Sequence, residues 1–235
     1  MDTRTAVKAK VVNDIAQRAE LQPEAVNEMV RQWAESSNDN DMRSLSLQEA
    51  AAEELGLELS PYQKTKIGAM RTDQANFITY ETRRLPGRTE EQAWATMANE
   101  RPDLLPLQPR SIERRFVRAM YGNTQDKLSE MGFSPDDHVT LFRGLNLAKA
   151  EVPDGWADSA RVQIKGNATE SWSFDLGVGS DFAEGGARSD VGIVLAMDVP
   201  VKNVIGTCVS GWGCLPEAEI VVAGVPSEAL IYSID

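Results

Sequence analysis

The sequence predicts an α+β protein in which a helical N-terminal half precedes a β-rich C-terminal half. Three observations carry this. Up to about residue 130, apolar residues recur at helical spacing. After Gly132 the period shortens to the alternation of a strand. Glycines at 177, 179, 185, 186, 211 and 213 then separate short β-type runs. The chain has 235 residues, 42% hydrophobic and 26% charged. That suits one large domain, or one domain with an appendage, and excludes a mainly disordered, collagen-like or coiled-coil protein.

The elements follow in order. Val7, Val11, Val12, Ile15 and Ala19 define one amphipathic helix. Pro23 sits where a first-turn proline is tolerated and opens a second, through Val26, Met29, Val30 and Trp33. The polar run Ser36–Asp41 predicts a loop. Ser46 with Glu49 has capping-box spacing and predicts a helix start there, with Gly56 as its stop. A fourth helix is expected from Pro61 to Arg84. Thr89 with Gln92 opens the next, and Pro102, Pro106 and Pro109 interrupt. Ser111 starts a last helix through Phe116, Met120 and Leu128. Strands are expected at His138–Leu145, Val162–Ile164, Val191–Val199, Val204-Ile205, Ile220–Val225 and Leu230–Ile234.

Composition narrows the chemistry. The net charge is −12, and residues 131–235 hold 6 Lys+Arg against 15 Asp+Glu. Such a surface repels phosphate backbones and accommodates a basic partner. A single histidine, His138, and two cysteines, Cys208 and Cys214, give too few ligands for a zinc site. His138, at a strand start, is a poor base for a Ser-His-Asp triad. No Walker A pattern occurs. Gly177-Val178-Gly179 is expected to lack the strand-then-helix context of a dinucleotide fingerprint, whose third glycine would fall at Phe182. No apolar run reaches the ~18 residues of a membrane helix. No signal peptide is visible, so a cytoplasmic protein, or one delivered without a classical signal, is expected.

Three pieces stand out. Leu141-Phe142-Arg143-Gly144 places an arginine in an apolar strand, which is costly unless its charge is paired. A bidentate phosphate would pair it; a strand-end arginine reaching water is the alternative. Ser171-Trp172-Ser173 is followed nine positions later by Phe182; taken alone, a serine-rich strand and turn with two core aromatics explains it. Glu217-Ala218-Glu219 follows a glycine loop and leads into Ile220-Val221-Val222. Carboxylates at i and i+2 of a strand point the same way. Gatekeeper charges at a strand edge are the alternative.

In this order the pieces resemble the Arg-Ser-Glu class of mono-ADP-ribosyltransferases, particularly toxin-like bacterial and phage-associated members. Phe142-Arg143-Gly144 matches the aromatic-Arg-Gly strand. Ser171-Trp172-Ser173 matches the Ser-Thr-Ser strand, with Trp for Thr. Glu217-Ala218-Glu219 matches the Glu-x-Glu pair. The resemblance covers roughly residues 60–235. It implies a helical lobe (46–130) followed by a two-sheet mixed β core (131–235) that binds NAD as substrate. Residues 1–45 would complete the lobe, or form an accessory hairpin for an antitoxin, immunity protein or carrier.

The resemblance also implies roles. Arg143 would clamp the pyrophosphate. Gly144 would let backbone approach the carboxamide. Ser171 and Ser173 would shape the pocket, and Phe182 would stack on nicotinamide. Glu219 would hold the ribose 2′-hydroxyl and stabilise the oxocarbenium-like transition state. Glu217 would activate the acceptor, and Trp212 would tip the acceptor-recognition loop, about Thr207–Pro216. No metal and no membrane are implied. The expected activity is transfer of ADP-ribose from NAD to a macromolecule, protein arginine before a nucleic-acid base, as a toxin or effector. An RNA- or DNA-modifying toxin–antitoxin or phage-defence component, an NAD glycohydrolase and a catalytically silent acidic binding module are the other expectations.

Overall fold

A computed structural model describes residues 3–36, 41–156, 159–164, 166–185, 190–211, 213, 217–224 and 227–234. The first half is helical: α1 (Thr3–Ala19), α2 (Pro23–Ser36), α3 (Met42–Leu55), α4 (Pro61–Arg84), α5 (Glu90–Glu100) and α6 (Arg110–Glu130). The second half holds β1 (His138–Ala148), β2 (Arg161–Ile164), β3 (Thr169–Ser173), α7 (Leu176–Glu184), β4 (Asp190–Pro200), β5 (Val204–Thr207), β6 (Glu219–Ala223) and β7 (Ser227–Ile234). The α+β order therefore stands.

Local signals explain most boundaries. Ser60 with Gln63, and Thr89 with Gln92, form complete capping boxes that open α4 and α5. Ser46 does not open α3. Asp41 caps that helix by accepting from the Ser44 amide at 2.8 Å. Ser46 lies inside it, and its hydroxyl donates to Glu113 of α6 at 2.5 Å. The expected division between residues 45 and 46 thus falls within α3. Helices α1, α2, α3 and α6 share one core (Ile15, Met29, Trp33, Leu47, Phe116 and Met120), with Ile205, Val221 and Ala223 of the sheet.

The two-sheet mixed core is not what the structure shows. Among the described residues there is one seven-stranded sheet, in the order β2-β7-β4-β1-β3-β6-β5, and every pairing in it is antiparallel. Short connections favour antiparallel neighbours; only a long crossover could make a parallel pair. The sheet is nevertheless weakly joined at its middle. β1 pairs with β4 along its whole length, from His138↔Pro200 to Ala148↔Asp190, whereas β1 meets β3 at the single position Phe142↔Ser173. A second core covers the face opposite the helices. It gathers Leu141, Trp172, Leu195, Ile220 and Val222 from both halves of the sheet. β6 is buried on both faces, between the two cores.

Candidate functional site

The sheet order sets the three motif strands, β1, β3 and β6, side by side. In the β3–β6 ladder Ser173 lies opposite Glu219, and Ser171 opposite Val221. Directly opposed residues share a face, as do residues i and i+2 of one strand. Ser171, Ser173 and Glu219 therefore emerge together, on the side of the helical core. The Ser171 hydroxyl donates to Glu219 Oε1 at 2.5 Å. This bond spans 48 positions of sequence and fixes a carboxylate that is only 6% exposed. Ser173 is buried and its hydroxyl is used internally. It donates to the Glu217 carbonyl at 2.8 Å and accepts from the Asp175 amide at 3.0 Å.

Glu217 is not the strand partner of Glu219 that the i, i+2 argument expects. β6 begins at Glu219, and Ala218 has φ 45°, in the left-handed region. That conformation is rare for a residue with a Cβ. It breaks the alternation, so Glu217 sits in a turn, half-buried, tied to β3 by its carbonyl. A lone strained residue between two candidate catalytic groups is where local strain commonly collects.

Arg143 follows β1 to the other face. Its guanidinium pairs with Glu170 at 3.1 Å and lies 6.0 Å from the centre of the Trp172 ring. Glu170 and Trp172 alternate with Ser171 and Ser173 along β3, so the arginine and the Ser171–Glu219 pair emerge on opposite sides of that strand. The partner Arg143 has in the structure is thus a carboxylate of the protein, where the sequence reading expected a phosphate or water. Arg143, Glu170, Trp172, Trp156, Leu145 and Leu195 line a cavity of about 400 Å³. Just past the Phe142↔Ser173 pair the two strands have no further ladder. Glu170 was not among the expected site residues. Its signal was available, since it directly precedes Ser171 and alternates to the arginine's side.

Gly144 has a packing role in the fold. A Cβ built there would collide with the Gly179 carbonyl oxygen and lie 2.7 Å from the Phe182 Cβ. The glycine lets α7 lie directly on β1. Phe182 stands on that helix with half its surface exposed. Asp175 caps α7 through the Gly177 amide at 2.8 Å. Gly177-Val178-Gly179 therefore does follow a strand and lie in a helix, contrary to the sequence expectation, although the third position remains Phe182.

Trp212, and residues 214–216 of the expected acceptor loop, lie outside the described residues. The loop's start is anchored on α6. The Ser210 hydroxyl is 2.8 Å from that of Thr124, and its carbonyl accepts from Asn123 at 2.8 Å. The basic segment 110–118 is engaged within the helical lobe. Arg110 bonds Glu49, Arg114 and Arg118 bond Glu54, and Arg115 bonds the Ala19 carbonyl. Among the described residues no group of three or more His, Cys, Asp or Glu could hold a metal ion, and no helix is long and apolar enough to cross a membrane. Comparison with known proteins returned no matching family model, no matching curated protein and no matching solved structure.

Proposed function

We propose that the chain is a mono-ADP-ribosyltransferase that moves ADP-ribose from NAD to a macromolecule, with protein arginine as the favoured acceptor. The Ser171–Glu219 hydrogen bond carries this reading. It joins two of the three motif pieces across neighbouring strands, next to the strand that carries the third.

The chemistry follows from the residue types. Glu219, held by Ser171, accepts the ribose 2′-hydroxyl. Its charge stabilises the oxocarbenium character that develops as the C1′–nicotinamide bond breaks. Nicotinamide leaves with the bonding electrons. Glu217 orients an arginine side chain of the acceptor and takes the proton its nitrogen loses as the new C1′–N bond forms. Arg143 exchanges Glu170 for the pyrophosphate, using the planar fork that suits two phosphate oxygens. Phe182, exposed on α7, offers a ring to nicotinamide. The acidic β half favours a basic protein surface as acceptor. A toxin or effector role, with an antitoxin or immunity protein as partner, belongs to the same reading.

The test is nicotinamide release from NAD by the purified chain and by Glu219→Gln. The substitution keeps size and removes charge, so the rate should fall on the order of 10²–10³-fold with the fold intact. Equal rates would remove Glu219 from the reaction.

A further inference from the structure

We infer that Gln63, outside the candidate site, is a positioning residue for Arg143 and acts on it through the segment 166–168 and Glu170. This rests on the transferase reading only for what Arg143 then holds. Two capping boxes open α4 and α5, and their glutamines differ. Gln92 of α5 is exposed and closes its box on the Thr89 amide. Gln63 of α4 is 1% exposed and reaches beyond its own box. Its Oε1 accepts the Ser60 amide at 3.0 Å, as the box requires, and also the Ala168 amide at 2.9 Å, 105 positions away. Its Nε2 donates to Gln48 Oε1 of α3 at 2.6 Å. Both lone pairs of that side-chain carbonyl are thus in use.

The segment 166–168 leads into β3, and it is clamped from two sides. The Ser60 hydroxyl donates to Asn167 Oδ1 at 2.9 Å, and the Gly224 amide, just past β6, donates to the Ala168 carbonyl at 2.9 Å. A Cβ at Gly224 would collide with the Asn167 carbonyl. Held in this way, the Asn167 amide donates to Glu170 Oε1 at 3.1 Å. The same oxygen pairs with Arg143 Nη1 at 3.1 Å. A contiguous set of hydrogen bonds therefore runs from α3 and α4 to the guanidinium, the kind of network that carries coupling between distant groups. Ala168 is fully buried, so without Gln63 its amide would lose its partner away from water, a cost the segment can relieve only by moving.

The experiment follows the guanidinium N–H signals of Arg143 in the full chain by NMR, assigned with Arg143→Lys. Gln63→Met keeps the length and removes both polar atoms; it should shift these signals. Gln63→Glu keeps an acceptor for both amides and should leave them near the parent's. Glu170→Ala should shift them too, and Gln63→Met added to it should change them no further, whereas a residue that only stabilises the fold would add its effect. NAD should bind Gln63→Met about tenfold more weakly, the scale of coupling within one hydrogen-bond network, and that loss should vanish in an Arg143→Lys background. Unmoved Arg143 signals in Gln63→Met, or effects that add to those of Glu170→Ala, would overturn the assignment. If the methionine variant does not fold, Ser60→Ala, which frees Asn167 alone, should move the signals by less, and unmoved signals there would overturn it equally. NAD that leaves the parent's Arg143 signals unmoved would remove the pyrophosphate clamp and leave the positioning role of Gln63 standing.

Discussion

Glu217 and Glu219 are two positions apart, yet their surroundings differ. Glu219 is buried on a strand and held by Ser171; Glu217 lies in a turn set by the left-handed Ala218. In the proposed reaction, bond breaking calls for a fixed charge beside the ribose, and of the two carboxylates Glu219 is the one fixed on a strand. Glu217→Gln should therefore abolish transfer to the acceptor and spare slow NAD hydrolysis. Parallel assays of free and acceptor-bound ADP-ribose decide it. Loss of both activities together would give Glu217 a part in bond breaking. Two of the motif pieces were legible in the sequence because they break a local rule: an arginine inside an apolar strand, and two carboxylates before a buried one. Their surroundings were not. Ala218 turns left-handed in a loop closed by Ser173 and Cys208, both distant in sequence or reached only after folding.

At the scale of elements, the helices announce themselves through caps. Ser60–Gln63 and Thr89–Gln92 are local signals and form as read. Ser46–Glu49 has the same spacing but faces α6 and α4, where tertiary partners claim both side chains. Helix α7 was invisible because its glycines have poor helix propensity. It stands because β1 offers it a surface without a side chain at Gly144. Gly144→Ala should displace α7 and cost about 1–3 kcal/mol, the usual range for overpacking. At this chain length that is several degrees of melting temperature. An unchanged melt would mean that α7 does not lie on β1 so closely. The α3–α6 contact carries a second prediction. Burial pushes the Glu113 carboxyl above its ordinary value of 4.5, against the opposing pull of Ser46 and Arg110. The folded state then holds the proton more tightly than the unfolded one. Stability from this group is full below about pH 4.5 and is lost as pH rises through the folded value. Glu113→Gln removes that loss. Its melting temperature relative to the parent should rise from pH 4 to pH 7, and a gap independent of pH would contradict the assignment.

The described residues form two cores that share β6, and β1 meets β3 at a single ladder position. Charge adds direction to this layout, since the β half carries −9 of the net −12. Pairing order is a long-range property, and periodicity in a strand says nothing about its neighbours; hence the one antiparallel sheet among the described residues in place of two mixed ones. The most direct measurement supplies labelled NAD and the chain to a cell lysate, then digests the products separately with protease and with nucleases. A protein-arginine transferase leaves label on macromolecules, lost on protease digestion, resistant to nucleases, and absent with Glu219→Gln. Label that survives protease and disappears with ribonuclease, or no label on any macromolecule, would contradict it.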